Sequence, residues 1–202
     1  MGLALSLGLG GCASDPPTRF HSLLPAEPVR AQAIDSAAAA SPPLVITLAP
    51  VRVPAQVDQP QWLVRLPDES LAVLEQERWA SPLRDELRQA LLEELAVRYA
   101  AVEGRAAAAG AAAPLRIGLD LRRFDSIPGR EARIEGAWTV SLGSAAPSLR
   151  CDALVREAAP AGMPALAAAH RRAVVRLADA IGASLVALRS ASSPACPPSD
   201  AR

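Results

Sequence analysis

The sequence predicts an α+β fold: a mixed, largely antiparallel sheet with two main helices packed on one face. Three observations point to it. Residues 114–157 hold three consecutive segments in which apolar and polar side chains alternate, the pattern of strands with one covered face and one wet face. Leu83, Leu87, Leu91 and Leu95 recur every four residues, which makes one apolar helical stripe. Residues 159–190 carry a second stripe, with Leu166, Val174, Leu177, Ile181, Leu185 and Leu188 at spacings of three, four and eight.

In chain order, RFHSLLP (19–25) reads as a short first strand, and the Pro- and Ala-rich residues 27–43 as loop or linker. LVITLAPVRVP (44–54) is a near-continuous apolar run. It suits a strand buried on both faces, with a bulge or break at Pro50. Residues 55–61 form a turn, 62–66 a strand, Pro67 and Asp68 a second turn, and 70–76 another short strand.

Ser81 is the predicted N-cap of the first helix, with Pro82 at its first position. Arg84, Glu86, Arg88, Glu93 and Glu94 occupy its polar side, and Glu86 lies where negative charge suits the helix dipole. Residues 103–114 are a low-complexity loop. In 114–124, Leu115, Ile117, Leu119 and Leu121 face the core, while Arg116, Asp120 and Arg122 face away. After a turn at 126–131, strand 132–142 sets Ile134, Trp138, Val140 and Leu142 on one face, and 148–157 completes the meander. Gly182 lowers the propensity of the last helix without ending its pattern.

The N-terminus, MGLALSLGLGGC, has an apolar run too short to span a bilayer, which takes roughly 20 residues. It suits the apolar core of a secretory signal. Leu9-Gly10-Gly11-Cys12 resembles the bacterial lipobox. That resemblance implies lipidation of Cys12 and cleavage of the bond before it. Two or three acyl chains, at about 0.8 kcal/mol per buried CH₂, make a lasting anchor. The residue after Cys12 is Ala13 rather than the Asp of an inner-membrane retention signal, which points to the outer membrane, facing the periplasm. The expected organisation is a signal peptide (1–11), a lipid-anchored N-terminus with the first strand and linker (12–43), one α+β domain (44–190, with strand 19–25) and a Pro-rich disordered tail (191–202).

Lys plus Arg and Asp plus Glu both number 21, so the net charge is zero. That leaves no electrostatic footprint for nucleic acid. Cys151 and Cys196 either form a bridge that pins the tail or remain a buried thiol and a tail thiol; spacing alone does not decide. The two histidines, His21 and His170, have no partner at metal-ligand spacing, and no nucleophile elbow or phosphate loop is present. His170, next to Arg171 and Arg172, reads as a solvated helix residue. Glu75, Glu77, Asp85 and Glu86 read as solvated carboxylates. These features predict no enzyme, no cofactor and no metal.

Four segments carry a family resemblance: RFHSLLP (19–25), PVRVPAQVDQPQWLVR (50–65), ERWASPLRDEL (77–87) and LDLRRFDSIPGREARIEGAWTV (119–140). Behind a lipobox, and in this order, they resemble the ABC-type transport auxiliary lipoproteins, the PqiC-like family. Pro54, Asp58, Pro60, Gln61, Trp79, Pro82, Leu83, Phe124, Ala137 and Trp138 fall on its motifs. The resemblance implies a non-catalytic lipoprotein on the periplasmic face of the outer membrane, working with an MCE-type protein and an ABC permease complex in lipid transport and membrane integrity. Whether it forms a homo-oligomer is left open. Pro54, Asp58, Pro60, Trp79 and Trp138 are then candidates either for partner contact or for shaping turns and core. The alternative role is an envelope-assembly lipoprotein with a protein client such as an outer-membrane β-barrel.

Overall fold

In a computed structural model of the chain, which describes residues 16–26, 43–104, 114–142, 148–190 and 193–198, the alternating segments form three long strands: β6 (Leu115–Ile127), β7 (Glu131–Leu142) and β8 (Ser148–Ala158). They pair antiparallel as a meander. The β6–β7 turn sets Gly129 at φ 71°, a left-handed conformation that glycine adopts without steric cost. β2 (Leu44–Leu48) adds parallel to β6, and the short β5 (Ala101–Glu103) parallel to β2, which gives a five-stranded sheet ordered β5-β2-β6-β7-β8. The second sheet, ordered β1-β4-β3, joins β1 (Arg19–His21), β4 (Leu71–Trp79) and β3 (Gln61–Arg65). The predicted single sheet is therefore two. Within the smaller sheet the β3–β4 pairing shifts register between Gln61 and Trp62.

α1 (Leu83–Tyr99) buries all four stripe leucines, and α2 (Met163–Ser190) buries all six of its predicted stripe residues. At ~1.5–3 kcal/mol for each fully buried Leu or Ile side chain, these stripes supply much of the core. α2 lies on β7 and β8, and α1 packs beside it. Gly182 is where they meet: an added Cβ would lie 2.2 Å from the Tyr99 ring, and the Tyr99 hydroxyl donates to Asp179 O at 3.0 Å.

Other expectations need correction. β2 ends before Pro50, as a proline break requires, but its burial alternates, with Val45 and Thr47 only half-buried. The following segment runs alongside β6 through an Arg52–Asp120 bridge. Pro82, not Ser81, sits at the N-cap of α1, and the Ser81 hydroxyl donates instead to Glu86 Oε1 at 2.8 Å. Strand 70–76 continues through Trp79. Leu142 is 40 % exposed at the end of β7.

Among the described residues no helix is long and apolar enough to cross a membrane. Cys151 and Cys196 are joined as a disulfide with Cα atoms 5.5 Å apart, so the segment after α2 is tied to β8. Cys12 lies outside the described residues, as do most of the linker and parts of the tail.

Candidate functional site

β4 ends at Trp79 and α1 starts four residues later, so the backbone turns sharply beside the Pro60 loop. Three sequence-selected residues come together there. A single 3-10 turn (Ala55–Val57) follows Pro54, whose carbonyl accepts the Val57 N–H at 3.0 Å. Asp58 leaves that turn and meets Arg84 of α1 at 3.4 Å. Pro60 O accepts the Trp79 N–H at 3.0 Å. Between them lies a surface groove of about 410 Å³, lined by Phe20, Asp58, Pro60, Arg78, Trp79 and Arg84 among others. Phe20 is 65 % exposed at its rim. Groove, apolar rim and flanking guanidiniums suit a docking segment with apolar and acidic side chains.

Pro54 stays outside this groove as a turn-former. Trp138 lies elsewhere, buried on β7 with its Nε1–H donating to Ser184 Oγ at 3.1 Å, so it belongs to the core of the five-stranded sheet. A second depression, about 290 Å³, sits on the outer face of that sheet, where Arg52 holds Asp120 at 3.0 Å with Arg122 and Arg150 nearby.

Beneath the groove is a polar core that the sequence reading missed. His170 is fully buried, not solvated; its ring stacks on Phe124 at 4.2 Å. Its Nε2 lies 2.8 Å from Ser126 Oγ, which accepts the Trp62 Nε1–H at 2.7 Å. The imidazole Nδ1 has no hydrogen-bond partner. Burial pushes the imidazole down to about 3, so it is neutral at physiological pH.

Ser126 and His170 are within hydrogen-bond reach, the spacing of a nucleophile and its base. Yet Ser126 is 1 % and His170 0 % exposed, with Trp62, Trp79 and Phe124 around them. No carboxylate orients Nδ1. The arrangement joins the two sheets.

Two carboxylates read as solvated are also buried. Glu77 accepts His21 Nε2 at 2.6 Å, and the His21 ring meets Trp62 edge-on at 4.8 Å. Glu86 takes hydrogen bonds from Ser22 Oγ at 2.6 Å, Leu23 N at 2.8 Å and Ser81 Oγ. It thus fastens the segment after β1 onto α1. Among the described residues no group of His, Cys, Asp or Glu is placed to hold a metal ion.

Residues 23–182, 160 of the 202, match the family described as the ABC-type transport auxiliary lipoprotein component. The chain belongs to this family. The three partner-contact candidates at the groove, Asp58, Pro60 and Trp79, fall within the matched span, as does the motif residue Pro82 that also lines it. No curated protein sequence matches the chain. Among solved structures, an uncharacterized protein aligns with a TM-score of 0.64 at 13 % identity, covering 83 % of this chain and 97 % of its own. Protein XCC0632 from Xanthomonas campestris, described as DUF330, aligns with a TM-score of 0.57 at 21 % identity, covering 72 % and 85 %. Both show the fold alone.

Proposed function

We propose that this auxiliary lipoprotein is a non-catalytic, periplasm-facing subunit of an MCE/ABC-type lipid transport system, anchored through Cys12 in the outer membrane and serving membrane integrity. The observation that carries the reading is the family match over residues 23–182. The site supports it. The serine–histidine pair is sealed in the core, whereas Asp58, Pro60 and Trp79 gather at an open groove beside Arg84. We assign that groove to the contact with the MCE-type or permease partner.

The test is a detergent-solubilised pull-down of the lipidated chain at native expression, beside an Asp58→Ala/Arg84→Ala variant. Co-purification of MCE and permease subunits with the native chain, and their loss with the variant, is the expected result. Recovery of a β-barrel without them replaces this reading with the envelope-assembly role. Cys12→Ser is expected to release the protein from membranes; a variant that stays in the pellet refutes the anchor.

A further inference from the structure

Seven large apolar side chains are exposed among the described residues, and four of them, Phe20, Leu66, Leu71 and Val73, belong to the small sheet and its turn. Pairing sets Leu71 opposite Arg65 and Val73 opposite Leu63, while Trp62 and Val64 of β3 are buried. Period-two alternation therefore places Leu71 and Val73 on the outer face, where they are 46 % and 43 % exposed. Leu66 extends this apolar edge into the turn.

The course of the chain says what lies near that face. β1 runs parallel to β4, with Arg19 beside Glu77, and the Thr18 hydroxyl donates to Gln76 Oε1 at 3.0 Å. Followed backward, β1 is therefore approached from the Leu71 end of β4. Cys12 precedes Pro16 by four residues, which span at most about 14 Å when fully extended. A lipid on Cys12 thus holds this end of the small sheet close to the headgroups.

We infer that the outer face of the small sheet, at Leu66, Leu71 and Val73, is a membrane-contact surface that rests in the headgroup layer of a zwitterionic lipid surface. The inference rests on the lipid anchor of the proposed function. Charge selects the lipid. The turn carries Asp68 and Glu69; Arg65 answers Glu69 at 3.7 Å. The Ser70 hydroxyl and backbone N–H hold Asp68 below the usual carboxylate range. A persistent negative charge disfavours an anionic surface and tolerates one whose headgroups also present ammonium groups. The anchor already supplies affinity, so three apolar side chains need only choose the orientation. Trp79 lies eight residues along β4 from Leu71, about 26 Å at 3.3 Å per residue, so the groove and this apolar face occupy opposite ends of the strand.

The test uses the full lipidated chain on vesicles of phosphatidylcholine and phosphatidylethanolamine with brominated acyl chains. Trp62, Trp79 and Trp138 are all at most 4 % exposed, which gives a quiet background. Leu71→Trp adds an indole to the proposed face. Val186→Trp adds one on α2, at a side chain that is 40 % exposed. Strong quenching of the first, little of the second, and no deepening with added anionic lipid are expected. Equal quenching of the two, or none in a chain that floats with the vesicles, overturns the membrane face with the anchor intact and gives the face to a second copy or a partner protein. If the native chain fails to float, or if Cys12→Ser floats as well, the anchor reading fails and the inference falls with it.

Discussion

The two sheets solve the same burial problem differently. The five-stranded sheet is built on three strands of 11 to 13 residues, with a covered face and a long helix across β7 and β8. The three-stranded sheet is irregular and leaves apolar side chains in the open. Its hold on the larger sheet includes specific aromatic and polar contacts: Trp62 on Ser126, Trp79 edge-on to Phe124, His170 between them, and Arg65 on Asp125. The larger sheet is stabilised by volume, and the junction adds these bonds to an apolar core that the two sheets share. A large sheet that is a packed core and a small one that is an attached contact module will respond differently to substitution.

Trp138→Ala tests the first half. Removing a large ring from the helix-covered face is expected to cost about 3–5 kcal/mol, read as a lowered urea midpoint with unchanged slope. A near-native midpoint would take Trp138 out of the core. Ser126→Ala tests the junction. It leaves the Trp62 N–H and His170 Nε2 without their shared partner, at an expected cost of about 1–3 kcal/mol. Loss of the small sheet's amide protection before that of β7 and β8 in hydrogen exchange would sharpen the contrast; simultaneous loss would break it.

The third prediction concerns acid. The folded state holds the His170 imidazole near 3 against an ordinary 6.5, so between those values the unfolded chain binds more protons. The contribution is complete above the ordinary value, falls with decreasing pH by up to about 1.4 kcal/mol per unit, and levels off near the folded value. His170→Gln keeps a polar group beside Ser126 without this titration. Its stability is expected to fall less than that of the native chain over that window, as followed by denaturant titration. Equal slopes would show that His170 is not held neutral. The smallest effect is expected at Cys151–Cys196: oxidised and reduced chains should differ in gel mobility, with little change at the small sheet.

Much of this fold was legible in the sequence because its elements have clear periods. The leucines of α1, the stripe of α2 and the alternation of β6 each mark a face that is buried as expected. What was missed is non-local. His170 follows Leu166 by four residues and precedes Val174 by four, so the stripe itself placed it inward; the neighbouring Arg171 and Arg172 made it look solvated. The β6 bulge between Leu121 and Arg123 leaves Arg122 and Arg123 both exposed and brings Phe124 and Ser126 inward. A strict period of two had no way to show that shift. Glu86 is buried because the segment after β1 comes across 63 residues of sequence to cover it. The groove was half legible: Asp58, Pro60 and Trp79 were marked, but Phe20 and Arg84 join them only through folding.

The seating of β1 also defines how the molecule bears load. A pull on the N-terminus enters at Thr18 and runs along β1, parallel to β4, so the strand pair is sheared rather than peeled. Beyond His21 the tension passes to Ser22 and Leu23, which Glu86 ties to α1. Force from a tether is therefore shared between a sheet and a helix. Single-molecule pulling from the N-terminus and from the C-terminus is expected to show unequal rupture forces, and Glu86→Ala to lower only the first.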